Sequence, residues 1–285
     1  HVLDIFYKNL INKKNIKIIN SQSPISFEIK ENKIITKLEK CFVTSNLNIA
    51  SDGKYSRVKQ LLKTPNFEKN YHKSAMVLTL THSRNHDCTA FEFFYKNGPL
   101  AILPMQSKKK NIFASSIVWT NKDEYLLDLF KMKDFNLKNI LENETQGLIG
   151  NIKNILSKQI FPLNTHLNTV FYEDRTIYVG DAAHSFHPIA GQGWNLGMKD
   201  IENLYELVKK YHSLGIEVGD NFFCKDYHDD NYFNAYKLYQ LTDKLDNIFK
   251  IDNLPFSFAR SMGLKLIQKN KKINNLISDI AMGIN

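Results

Sequence analysis

The stretch GDAAHSFHPIAGQGWNLGMKD, Gly180 to Asp200, decides how this chain is read. Thr176–Val179, just before it, reads as a short apolar strand ending at Gly180-Asp181. A loop carrying Pro188 follows, and then Gly191-Gln192-Gly193 opens a helix predicted over Leu196–Tyr211. A helix start stripped of side chains leaves its first N–H groups and the positive end of its dipole bare. Glycine also lets a flat or anionic group approach the backbone closely. Asp181, at a strand end, is placed to accept a hydrogen bond from a hydroxyl. A dinucleotide fingerprint would set its glycines directly after the strand, whereas here Asp181–Ala190 intervenes. Alone, the Gly-Gln-Gly reads as an ordinary helix N-terminus; the whole stretch does not.

On the N-terminal side, Val2, Leu3, Phe6 and Leu10 are spaced as the end of a helix. Ile25–Ile29 and Ile34–Leu38 alternate around Glu31-Asn32, which predicts a hairpin. Leu47–Ala50 is an apolar strand running into Ser51-Asp52-Gly53, whose Asp-Gly pair alone reads as a turn. Ala75–Thr81, Thr89–Lys96, Leu100–Pro104 and Asn111–Thr120 read as successive strands, an antiparallel region. Glu124–Ile140 and Gln146–Leu156 read as amphipathic helices, and Leu163–Tyr172 as a further strand. Phe222–Phe249 is a long helical pattern, and Phe256–Met282 reads as two more helices.

The chain has 285 residues, 43% hydrophobic, enough for a sizeable core. Its formal net charge is +9, but the lysines are scattered and the longest run, Lys108–Lys110, reads as a hairpin tip. No basic stripe exists, so nucleic acid is not an expected partner. Cys41, Cys88 and Cys224 are far apart and odd in number, which predicts a reducing compartment without a disulfide framework. His184 and His187 have metal-like spacing, but no further ligand cluster accompanies them and no metal is expected. No Ser-His-Asp arrangement is found, and no side chain is assigned a catalytic role. Trp194 is open between a substrate contact and core filling.

Gly180–Asp200 resembles the second FAD motif of class A flavoprotein monooxygenases, and HPIAGQGWNLGMKD is most similar to their ubiquinone-biosynthesis hydroxylases. Ser51–Lys59 resembles the family's ADGxxSxxR stretch, with Ser51 in place of Ala and Lys59 in place of the closing Arg. Lys keeps the charge but loses the bidentate fork. Gly98–Pro104 resembles the family's GPLAxLP strand, and Ser115–Trp119 the strand after it. Ser261–Leu264 and Ala281–Gly283 resemble its closing helices.

The resemblance implies FAD as cofactor and NAD(P)H as co-substrate. It assigns Asp181 to the ribityl chain, and Pro188, Gly191, Gln192 and Gly193 to the ring, with Asn195 nearby. Asp52 and Gly53 are placed near the cofactor and the approach of the pyridine nucleotide. A helix start of this kind would also stabilise the negative charge of a reduced flavin, by about 0.3–1 kcal/mol when exposed. In the family, oxygen added at the flavin C4a position as a hydroperoxide hydroxylates an electron-rich phenol. A prenylated phenol or quinone precursor is the implied substrate, and quinone-biosynthesis proteins are implied partners.

The expected fold is mixed α/β. A Rossmann-like FAD layer lacks its first βαβ unit, because no GxGxxG precedes Ser51. An antiparallel substrate sheet is inserted, and a helical tail closes the chain. The boundaries read as 1–73 and 175–215 for the FAD layer, 74–174 for the sheet and 216–285 for the tail. The missing motif suggests an N-terminally truncated hydroxylase. It leaves open a non-catalytic subunit, and a flavin oxidoreductase of the same superfamily acting on another substrate. A cytoplasmic location is expected. Lys265, Lys269, Lys271 and Lys272 among apolar positions suggest peripheral contact with the inner membrane, or a helix packed on its own domain.

Overall fold

The computed structural model describes residues 2–20, 23–107, 112–186 and 193–250. The expected closing helices over Phe256–Met282 lie outside the described residues, as do Lys108–Lys110.

Helix α1 (Val2–Ile11) comes first. Strands β1 (Pro24–Lys30) and β2 (Lys33–Leu38) pair through Ile29↔Ile34 around Glu31 and Asn32, both left-handed. That is the geometry in which a two-residue turn matches strand twist. β3 (Phe42–Ser45) adds the third strand of this sheet. β4 (Asn48–Ala50) then leads to the short helix α2 (Arg57–Leu62).

The largest layer is built by alternation. β5 (Asn66–His82) sits at its centre, followed by β6 (Phe91–Tyr95), β7 (Gly98–Met105) and β8 (Phe113–Lys122). Met76, Leu78 and Leu80 of β5, Leu100 and Ile102 of β7, and Ile117 of β8 point to one face and are fully buried. Helices α3 (Asp123–Lys131) and α4 (Asp134–Glu144) cover that face with Leu126, Leu129, Leu137 and Leu141. One continuous helix was expected over Glu124–Ile140. The chain instead turns extended at Met132, ψ 153°, which splits it in two.

The helix expected over Gln146–Leu156 is not formed. Gln146, Gly147 and Gly150 adopt left-handed backbone, and β9 (Ile152–Asn168) begins immediately afterwards. β9 pairs along β5 through Ile152↔His82 and Ile155↔Leu80. The ladder shifts register between Thr79 and Leu80 and again between Thr81 and His82. Those bulges break the two-residue period. The surviving Ile152–Ile155 spacing imitates a helix.

β10 (Tyr172–Glu173) and β11 (Thr176–Tyr178) form a tight antiparallel pair. β11 also runs parallel to β4, with Ile177↔Ile49 and Tyr178↔Ala50 in register. β12 (His184–Ser185) closes the far edge of the large sheet against β9. Helices α5 (Gly193–Ser213) and α6 (Asn221–Lys250) pack over β11. Tyr227 of α6 donates its hydroxyl to the Tyr178 carbonyl at 3.0 Å.

Candidate functional site

β4 and β11 are parallel neighbours, so Ser51–Gly53 and Gly180-Asp181 leave the sheet at the same end. The carboxyl end of a parallel pair is where open α/β sheets bind ligands. Gly180 takes φ +60°, a turn that a side chain would strain, and delivers Asp181 exposed to the rim of a cleft. The cleft is about 670 Å³ and is also bounded by Ser51, Gly53, Ser185 and Phe186. Its far wall is the start of α5: Gly193, Trp194, Gly197, Met198 and Ile201. Those positions follow helical spacing and form one stripe. Trp194 is 67% exposed, which removes the core-filling reading of that residue.

The loop beneath this rim is held by one buried carboxylate. Asp200 Oδ2 accepts the Gly180 N–H at 2.9 Å and lies 2.7 Å from His184 Nε2. Both side chains are 1% exposed. One oxygen of α5 therefore ties together the strand end, the residue before Asp181 and the short β12. The His184 ring stacks on Phe186 at 5.2 Å, and Phe186 lines the cleft. Breaking a buried pair by removing one member leaves an uncompensated polar group.

Asp52 has a different position from its neighbours. Its Oδ2 accepts the backbone N–H of Arg57 at 2.7 Å and of Val58 at 3.2 Å. Ser56 Oγ accepts from Lys59 N at 3.0 Å. The two side chains together cap α2. Gly53 and Ser51 face the cleft instead, and open space surrounds the point where a Gly53 Cβ would stand. Lys54 is half buried. Its ammonium donates to the Asn164 carbonyl at 2.6 Å. Burial lowers its pKa, and the nearby Asp181 and Glu68 carboxylates partly restore it.

Of the residues singled out in the sequence, Asp181, Gly193 and Gly53 line one cleft. Asn195 lies exposed in the first turn of α5. Pro188, Gly191 and Gln192, with His187, lie outside the described residues. Sequence reasoning missed Asp200 as the anchor of the motif. Its signal was an acid on the apolar stripe of α5, four residues from both Leu196 and Leu204. Among the described residues, no helix is long and apolar enough to cross a membrane.

A family model described as FAD binding domain matches residues 36–212. Among curated proteins, the chain is 29% identical over 241 residues to the ubiquinone hydroxylase UbiL of Rhodospirillum rubrum, covering 85% of this chain and 55% of that one. It is 27% identical over 282 residues to the mitochondrial ubiquinone biosynthesis monooxygenase COQ6 of Dictyostelium discoideum, covering 84% and 56%. The chain thus spans about half the length of the curated relatives it matches. Among solved structures, p-nitrophenol 4-monooxygenase PnpA from Pseudomonas putida matches with a TM-score of 0.77 at 14% identity, over 98% of this chain and 71% of that one. PqsL of Pseudomonas aeruginosa, a probable FAD-dependent monooxygenase, matches with a TM-score of 0.71 at 15% identity, over 87% and 69%. At these identities the two structures establish the fold.

Proposed function

We propose, from the premise that this chain belongs to the FAD binding domain family, that it forms the flavin-ring and substrate part of an aromatic-ring hydroxylase acting on a ubiquinone precursor. The observation that carries the reading is the cleft at the common end of β4 and β11, with Asp181 on one rim and the apolar stripe of α5 on the other. Its volume of about 670 Å³ lies within the range of small-molecule sites. Among the described residues, no atom stands within 4 Å of a Cβ built at Gly53 or Gly193, which suits a flat ring against the backbone there. These features fit FAD: an acid for a ribityl hydroxyl, a glycine at a helix start and an apolar wall.

FAD, when bound, supplies the electron transfer and oxygen chemistry, with NAD(P)H as reductant. The chain's own residues do the rest. Asp181 accepts a hydrogen bond from the ribityl chain and fixes the ring's depth. Trp194, Met198 and Ile201 shield the cleft from water. The face of the large sheet away from α3 and α4 presents Val77, Ala101, Leu103 and Val118, cross-strand neighbours on one apolar surface. That surface suits a phenol ring with a prenyl tail. The relatives named as ubiquinone hydroxylase and ubiquinone biosynthesis monooxygenase support this substrate class. The domain limits read from the sequence remain part of the proposal, with β5 continuous through residues 73–74.

The test is turnover by the full-length protein with NADH or NADPH, FAD and a prenylated phenol. The reading predicts phenol-dependent NAD(P)H oxidation and a product carrying one oxygen atom from O2. A flavin-loaded protein that oxidises NAD(P)H without oxygenating any phenol contradicts it.

A further inference from the structure

The end of β9, behind the cleft, gathers polar atoms that nothing satisfies. Asn164 Oδ1, Thr165 Oγ1, His166 Nε2 and Asn168 Oδ1 are buried without a hydrogen-bond partner among the described residues, and His184 Nδ1 and Asp200 Oδ1 extend the group. Folded proteins pair nearly all such atoms. Six of the nine orphans among the described residues lie at the end of β9 or on the neighbouring His184–Asp200 pair, and Asn164, His166 and Asn168 share one face of the strand, which points to a polar ligand on that face.

His166 is the member best placed to meet one. It is 3% exposed. Across the β12–β9 ladder it is the register partner of Ser185, which lines the cleft. Partners in an antiparallel ladder leave on the same face, so the imidazole leaves β9 on the face of the Ser185 side chain. The Ala182 carbonyl, which accepts from Asn168 Nδ2 at 3.1 Å, also lies toward its ring. Lys54, bonded to the adjacent Asn164 carbonyl, is coupled electrostatically to both His166 and Asp181. Burial first, then the charges of Lys59, His184 and Lys54, lowers the pKa of His166 to about 3. A neutral imidazole has one N–H and one lone pair; with the N–H turned toward Ala182, the unpartnered Nε2 is left as an acceptor.

We infer that His166 Nε2 accepts a hydrogen bond from a ribityl hydroxyl of the flavin, giving the tail two acceptors, Asp181 and His166. This rests on the flavin reading above. Phosphate oxygens are acceptors and do not satisfy the site; a hydroxyl does.

Two flavins separate tail from ring. Riboflavin carries the ribityl chain, whereas lumiflavin has the same ring with a methyl group in its place. Fluorescence titration of the wild-type chain, His166→Phe and His166→Gln with both ligands reads the contact without turnover. The phenylalanine variant should lose about tenfold in riboflavin affinity, about 1.4 kcal/mol, and keep its lumiflavin affinity. Retained lumiflavin binding also reports that the variant is folded. The glutamine variant, which keeps an acceptor and a donor, should bind riboflavin within about threefold of wild type. Equal riboflavin affinity in wild type and His166→Phe overturns the inference alone. Parallel loss of both ligands overturns it too, by assigning His166 to the ring or the fold. A wild-type chain that binds neither flavin removes the flavin reading itself.

Discussion

Among the described residues two cores bury similar numbers of apolar side chains, 13 in the large sheet with α3 and α4 and 15 around β11 with α5 and α6, but they are assembled differently. The sheet core is dominated by leucine and isoleucine, with polar links at its margin, Ile152 N–H to the Glu142 carboxylate and the Tyr95 hydroxyl to the Glu144 carbonyl, both at 2.6 Å. The β11 core is threaded with polar pins: Thr64 to the Tyr178 hydroxyl at 2.6 Å, Tyr227 to the Tyr178 carbonyl, and Asp200 to Gly180 and His184. Apolar packing is non-directional and sets stability. Hydrogen bonds are directional and set where a loop points. The apolar sheet is therefore expected to carry stability, and the pinned core the geometry of the cleft.

Substitutions break or sharpen that contrast. The largest effect is expected for Asp200→Ala, which leaves the Gly180 amide and His184 buried without their partner. Thermal unfolding should show a loss of about 3–5 kcal/mol, and flavin affinity should fall with it. Unchanged flavin affinity in a folded Asp200→Ala chain would detach the anchor from the cleft. Leu78→Ala, in the dry core, should cost about 2–5 kcal/mol but leave flavin affinity unchanged below its melting temperature. An affinity loss there would show that the cores are not separable.

A smaller effect is expected from pH. The folded-state pKa of His166, about 3, lies below its ordinary value of 6.5. Unfolding therefore takes up a proton between those values. The neutral residue's contribution is fully present above pH 6.5 and is lost as pH falls toward 3, by at most about 1.4 kcal/mol per pH unit. Lys54, Lys59 and His184 face it and sharpen the effect. Denaturant unfolding across that window should be less acid-sensitive in His166→Gln than in wild type. An identical pH profile would mean that His166 is not held neutral.

The sequence made some of this legible and hid the rest for physical reasons. Strong alternation located β7 and β8, and the left-handed pair Glu31-Asn32 located the first hairpin, because local chemistry decides both. The start of β9 looked helical because two bulges displaced its isoleucines to a three-residue spacing. The Gly180–Asp200 stretch singled out Asp181 and Gly193, which the structure brings to one cleft. It could not show that Asp52 turns to cap α2, because an aspartate before a helix suits a cap and a ligand equally. Asp200 and His166 escaped for a common reason. Their partners lie on other elements, 20 residues away for Gly180 and 19 for the Ser185 register partner.

The proposed flavin seat is Asp181 and the cleft beside it. A FAD titration followed by the flavin difference spectrum, on wild type and Asp181→Ala with matched melting temperatures, tests it most directly. The account predicts saturable binding by wild type and affinity weakened about 10- to 100-fold in the variant, the loss of one hydrogen bond to a charged acceptor. A wild-type protein that produces no flavin difference spectrum, or an Asp181→Ala variant that binds FAD as tightly, would contradict it.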